Sequence, residues 1–151
     1  MRVYVDLCAL TRPYDRATQE RIALEALALA AIVKAYENLR LELVSSTVLE
    51  LENSKNPQED RRVEVGDLLG RIRNAIAFSG EIRERSRELV PMGFRPLDAL
   101  HIACAESSRC DQLVRCDDRL QAAAKRAGDR LHVKVVGPLE LAAQLEAENL
   151  P

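Results

Sequence analysis

The chain has 151 residues, 47% of them apolar and 30% charged, which is the size and make-up of one globular domain and excludes both a large multidomain enzyme and a disordered polypeptide. Twenty-two Lys and Arg stand against 24 Asp and Glu for a formal charge of −2, so no global field draws in nucleic acid and any such binding needs a local patch. No apolar run reaches the roughly 18 residues of a membrane span, and the N-terminus has no signal-peptide pattern, so a cytoplasmic protein without a membrane partner is expected.

Arg2 to Asp6 (RVYVD) is short and rich in β-branched and aromatic residues, a first strand. Arg16 to Asn38 then carries Ile22, Leu24, Leu27, Ala28, Ala31, Ile32 and Ala35 at three- and four-residue spacing, which predicts a long amphipathic helix. A second strand falls at Leu41 to Ser45 and a helix at Thr47 to Asn53. Thr47-Val48-Leu49-Glu50 has the form of a capping box, with Glu50 reaching back to the Thr47 N–H. Helical patterns follow at Asp60 to Phe78, Glu81 to Leu89 and Leu97 to Ser107, a strand at Gln112 to Cys116, a helix at Arg119 to Ala127, a strand at His132 to Val136 and a helix at Leu139 to Glu148. Strands separated by crossover helices imply parallel pairing. The expected fold is therefore α/β, a three-layer α/β/α sandwich around a central parallel sheet of four to five strands. Residues 1–151 form one domain in this reading, with a helical arm at about 58–90 lying at one edge of the sheet.

The cysteines, Cys8, Cys104, Cys110 and Cys116, form no CxxC pair and have no histidines at finger spacing, so they are expected as small buried residues. A zinc site built from Cys104, Cys110 and Cys116 is the less favoured alternative, because residues inside regular elements rarely converge tetrahedrally at that spacing.

In an open parallel sheet, sites form outside the carboxyl ends of the strands. Asp6 ends the first strand, Asp117 follows LVRC, Asp98 lies one turn into the helix opened by Pro96, and Glu52 lies one turn into the helix after LVSS. Glu52 shares a helical face with Val48 and Leu49, which are expected to pack on the sheet, whereas Glu50 is occupied by the cap; Glu52 is the inward acid. Clustered carboxylates repel unless a hard cation compensates them, so Mg²⁺ or Mn²⁺ is the expected cofactor, bound by Asp6, Glu52, Asp98 and Asp117. Such a cation activates water and stabilises charge on a phosphate, which points to phosphodiester hydrolysis.

VYVDLCAL, SSTVLELENSKNP, PLDALHIACA and LVRCDDRL together resemble a PIN-domain ribonuclease, in an order and spacing that cover most of the chain. The resemblance implies a metal-dependent endoribonuclease related to the toxins of VapBC-type toxin and antitoxin pairs. Asp6, Glu52, Asp98 and Asp117 fall on that family's acidic positions, RNA would be the substrate and an antitoxin protein a candidate partner. PIN-like relatives often dimerise, and the Ala- and Leu-rich Arg16 to Asn38 helix offers more apolar surface than a small sheet covers, so a homodimer is expected. Two positions depart from the family. Leu7 stands after the first Asp where Thr or Ser is common, and Arg115 stands where Ser or Thr often precedes the last Asp by two residues. The Arg115 guanidinium either holds a phosphate or neutralises a carboxylate.

Two of the acids also have a plain structural reading. Asp98 at the third helical position suits the helix dipole, and Asp117 or Asp118 suits an N-cap. Asp6 resists such a reading best, because a carboxylate ending an apolar strand must find a partner. His101 is expected to pack on the buried helix face rather than act in catalysis, and His132 carries no signal. Arg12, Arg16 and Arg115 border the expected cleft and are the candidates for phosphate contacts, whereas Arg83, Arg85 and Arg87 alternate with glutamates as in a solvated, ion-paired face. Five aromatics without Trp exclude a broad base-stacking platform. The competing reading is a non-catalytic PIN-like module that binds RNA or protein. A receiver domain and a haloacid-dehalogenase phosphatase fit poorly, the first for want of an adjacent acidic pair before a strand-end phosphoacceptor and the second because Asp6-Leu7-Cys8 lacks the second Asp of a DxD. Asp6→Asn is expected to abolish cleavage without loss of stability, because it relieves repulsion among carboxylates.

Overall fold

The computed structural model describes residues 1–15 and 19–149. Five strands, β1 (Arg2–Val5), β2 (Glu42–Ser46), β3 (Asn74–Ile76), β4 (Gln112–Val114) and β5 (Lys134–Val136), form one sheet in the order β3-β2-β1-β4-β5. Every pairing is parallel, with Val3 opposite Leu43 and Gln112, and Leu113 opposite Val135. The helices are α1 (Leu7–Leu10), α2 (Glu20–Glu37), α3 (Thr47–Ser54), α4 (Glu59–Arg71), α5 (Gly80–Leu89), α6 (Pro96–Ser107), α7 (Asp118–Ala127) and α8 (Pro138–Ala147).

The chain steps from β1 through β2 to β3 in one direction, then returns across the sheet to β4 and steps on to β5. With right-handed crossovers the two directions place their helices on opposite faces, so α2 and α4 cover one face and α5, α6 and α7 the other. The packing agrees: α8 lies against α2, and α5 lies against α6. Val3, Tyr4, Leu43, Ile102, Leu113, Val114 and Val136 are almost wholly buried at the centre of this three-layer arrangement.

Three elements differ from the sequence reading. The helical pattern over Asp60 to Phe78 breaks after Arg71, and Asn74–Ile76 adds a strand to the edge of the sheet, so the 58–90 segment is two helices around a strand rather than a helical arm. A three-residue strand is too short to display alternation, and Ile72 and Ile76 sit at helical spacing, which hid it. The N-cap lies one residue earlier than the expected capping box, and no reciprocal glutamate bond forms among the described residues. Ser46, extended at φ −148°, is the N-cap, and its hydroxyl accepts the Leu49 N–H. Thr47 Oγ1 instead accepts the Phe78 N–H at 2.9 Å and ties β3 to α3, which leaves Glu50 exposed. Finally, Asp6 caps a short helix, α1, that no sequence pattern marked, while the long helix α2 runs over Glu20–Glu37 and the Arg16 start of the expected helix lies outside the described residues. Cys104, Cys110 and Cys116 are buried and all four cysteines are free; none joins a metal-ligating group among the described residues.

Candidate active site

The direction of the chain reverses between β1 and β4, and the loops leaving their carboxyl ends enclose the crevice that such a reversal creates. Register fixes what faces it. Val5 lies opposite Val114, and the Asp6 N–H continues the ladder to the Val114 carbonyl at 3.1 Å, so Asp6 and Arg115 leave adjacent strand ends side by side. Asp6 is 1% exposed, and its Oδ1 accepts the Leu7 N–H at 2.6 Å. Asp98 is also buried, brought in by the first turn of α6, where Pro96 takes the position that needs no N–H. Asp117 is the N-cap of α7 and accepts the Arg119 N–H at 2.9 Å, so its structural reading holds. Its other oxygen remains turned to the crevice.

Arg115 sits among these acids. Its Nη1 donates to Asp6 Oδ2, its Nη2 lies 2.9 Å from Asp98 Oδ1, and the same Nη2 lies 3.8 Å from Asp117 Oδ2. Of the two roles open from sequence, the observed one is neutralisation of carboxylates. Burial disfavours the guanidinium charge, but Asp6 and Asp98 more than offset it and hold the Arg115 pKa above its usual value. Asp98 responds differently. Burial pushes its carboxyl up, Arg115 opposes this, and Asp6 and Asp117 add to the rise.

Glu52 enters from α3 on the other side of Asp6. Its Oε2 lies 2.6 Å from His101 Nε2, and His101 Nε2 lies 3.6 Å from Asp6 Oδ1. His101 is 1% exposed, as expected of a packed residue, yet both ring nitrogens are engaged: Nδ1 lies 2.7 Å from the Tyr4 hydroxyl, which lies 2.7 Å from Ser46 Oγ. Burial alone would lower the His101 pKa; Asp6 and Glu52 outweigh it and raise it. Sequence reasoning missed His101 as a member of the site. The signal was present, because Asp98 and His101 are three residues apart on one face of α6. Asp6, Glu52 and His101 each place a ligand atom within 4.8 Å of the others.

The remaining basic candidates fare differently. Arg16 lies outside the described residues. Arg12 is no free phosphate contact: its Nε donates to Glu25 Oε2 at 2.7 Å and its Nη1 to Asp15 at 3.0 Å. Glu25, 2% exposed on α2, also accepts from Arg21 Nε at 2.6 Å, while the outer edge of Arg21 grips Asp118 and the Cys116 carbonyl. This network fastens α2 to the loop that carries Asp117. Burial would raise the Glu25 pKa, but hydrogen bonds from Cys116, Arg21 and Arg12 prevail and lower it. A depressed carboxylate contributes stability that is present above the unfolded carboxyl range and is lost as pH falls through the folded value. Glu25→Gln is therefore expected to cost about 1–2 kcal/mol near neutral pH, because the two arginines are partly solvated, and to lose less further stability than wild type between about pH 5 and pH 3. Urea unfolding across that range measures both effects.

An all-parallel five-stranded sheet with carboxylates gathered at its switch point defines an acidic-crevice α/β domain. The family model of the PIN domain matches residues 3–126, and the chain belongs to the PIN domain family. Two solved structures share the fold. One is FitAcB from Neisseria gonorrhoeae, at 13% identity and a TM-score of 0.56, covering 90% of this chain and 97% of that one. The other is VapBC2 from Rickettsia felis bound to a DNA fragment from their promoter, at 14% identity and a TM-score of 0.52, covering 91% of this chain and 98% of that one. No curated protein sequence matches the chain.

The donor set suits a divalent cation. Oxygen ligands dominate it, and Asp6, Glu52 and His101 already bring donor atoms together. The buried Tyr4 hydroxyl beside Nδ1 fixes the His101 ring whose Nε2 meets Glu52, the kind of outer partner that orients a ligating carboxylate.

Proposed function

We propose that the protein is a Mg²⁺- or Mn²⁺-dependent endoribonuclease of the cytoplasm. The observation that carries the reading is the meeting of Asp6, Glu52, Asp98 and Asp117 around one crevice at the switch point, joined through Arg115 and His101. In this reading the four acids bind the cation. When bound, it polarises a phosphodiester and lowers the pKa of a water that attacks it. His101 holds Glu52 in place through Nε2 and is itself held by Tyr4, so the carboxylate keeps its orientation without a solvent-exposed partner. Leu7 offers no hydroxyl beside Asp6, so orientation at that point rests on the backbone N–H of Leu7.

The partners in this reading are RNA, an antitoxin protein of the kind found in VapBC-type pairs, and a second copy of the chain. Self-association is supported by α2, which leaves Leu24 and Leu27 exposed. The test incubates purified protein with a single-stranded and a structured RNA in the presence of Mn²⁺, Mg²⁺ or chelator. Cleavage that requires the metal and disappears with chelator is expected. Absence of metal-stimulated cleavage of both RNAs would favour the second reading, a non-catalytic PIN module, which the ion pairing of Arg115 with three of the acids supports.

A further inference from the structure

We propose that Arg115 is a built-in competitor of the cation: its guanidinium occupies the acidic crevice in the metal-free protein, and a divalent ion binds fully only when that side chain leaves. The inference rests on the proposed metal site and concerns what governs access to it.

Position comes first. Arg115 contacts Asp6, Asp98 and Asp117, three of the four acids assigned to the cation, through two terminal nitrogens. A guanidinium and a divalent cation require the same carboxylate oxygens, and both answer the same charge repulsion, so they exclude one another at Asp6 Oδ2 and Asp98 Oδ1. Deprotonation offers no escape, since arginine keeps its charge in proteins. The side chain must move.

The surroundings permit that movement and confine it to the side chain. The Arg115 N–H is fixed to the Val136 carbonyl at 2.9 Å, and its own carbonyl accepts from Gln121 Nε2 at 2.9 Å, so the backbone is pinned on both sides. The guanidinium is held less completely. Its buried Nε has no hydrogen-bond partner among the described residues, so part of its desolvation is uncompensated. A way out is marked by Asp117, the most exposed of the three acids at 34%, lying at the outer end of the contact series. The opposite side of the crevice is less directly contested: Arg115 makes no hydrogen bond or ion pair with Glu52 or His101 among the described residues, and Asp6 Oδ1, Glu52 and His101 hold ligand atoms within 4.8 Å of one another, which offers a cation its first hold. The consequence is a site that is internally neutralised at low metal and switches to the cation as its concentration rises.

The test compares wild type with Arg115→Ser, Arg115→Gln and Arg115→Lys by titration calorimetry with MnCl₂ and by thermal melting with and without Mn²⁺. Removing the guanidinium is expected to lower the melting temperature in chelator, to raise Mn²⁺ affinity by about tenfold or more, and to enlarge the rise in melting temperature that Mn²⁺ produces. Arg115→Lys, which keeps a point charge but not the fork, is expected to fall between wild type and Arg115→Gln. An arginine that only supports the fold would lower the melting temperature without tightening Mn²⁺ binding. If Arg115→Ser does not fold, Arg115→Gln supplies the same comparison at nearly native side-chain length. Mn²⁺ affinity equal to or weaker than wild type in a folded, neutral variant overturns the inference. Wild-type cleavage of RNA measured across the same Mn²⁺ series separates this failure from failure of the nuclease reading: cleavage with unchanged affinity removes the competitor and leaves the nuclease.

Discussion

Asp6→Asn is expected to reduce metal-dependent RNA cleavage by at least about a hundredfold, since even an outer partner of a metal ligand is worth about 10–100-fold and Asp6 is assigned as a ligand. The amide preserves shape and removes the charge. It is also expected to lower stability in the metal-free protein by about 2 kcal/mol, because a buried ion-paired hydrogen bond to Arg115 is replaced by a weaker one from the guanidinium to a neutral amide. This reverses the expectation from sequence, where repulsion among four unpaired acids made the substitution neutral or stabilising. The acids are not unpaired. Arg115 has already met that repulsion, so what Asp6→Asn removes is chiefly attraction. Cleavage rates under saturating Mn²⁺ and urea unfolding in chelator measure the two effects separately. Wild-type rates from the variant would place the chemistry elsewhere, and an increase in metal-free stability would show that repulsion dominates despite Arg115.

Leu113→Ala is expected to destabilise the domain by about 3 kcal/mol, the usual range for removing a fully buried leucine side chain and leaving a cavity. Leu113 is the middle residue of β4, is 0% exposed, and pairs with Tyr4 on one side and Val135 on the other. Two residues on, the chain reaches Arg115, and four residues on, Asp117, so loosening of β4 also loosens the crevice. The expected record is a lower urea midpoint with an unchanged slope, and cleavage that approaches the wild-type rate only well below the melting temperature. A loss under about 1 kcal/mol would mean that the neighbours close the cavity.

Much of the fold was legible because the strands are hydrophobic runs separated by helices long enough for parallel crossovers. What escaped was local. β3 has three residues, and its apolar positions continue a helical spacing, so only its parallel pairing with Val44, Ser45 and Ser46 of β2 reveals it. Thr-x-x-Glu at Thr47 fits a capping box, yet Ser46 lies one residue earlier in extended geometry and is the N-cap of α3. Glu52 still faces the crevice, for the reason given by its helical face rather than by the cap.

The candidate site was legible as a set of acids because strand ends mark the crevice. It was not legible as a network. His101 lies on a face whose other members are buried, and nothing in local spacing shows that Tyr4 and Glu52 bracket its ring. No acidic neighbour at helical spacing marks Arg12 as paired with α2; its partner Glu25 is supplied by that helix farther along the chain. Arg115 drew attention as a departure from the family pattern. Its three-way contact required the β1 to β4 register and the first turn of α6, which are properties of the assembled sheet.

The central claim, that the carboxylates at the switch point hold a divalent cation, is tested most directly by crystals soaked in MnCl₂ with data collected at the manganese absorption edge. An anomalous peak within ligand distance of Asp6, accompanied by Glu52 or Asp98 and by an Arg115 side chain moved off Asp6, is the predicted result. A soaked crystal with Arg115 still clamped to Asp6 and Asp98 and no anomalous peak in the crevice would contradict it.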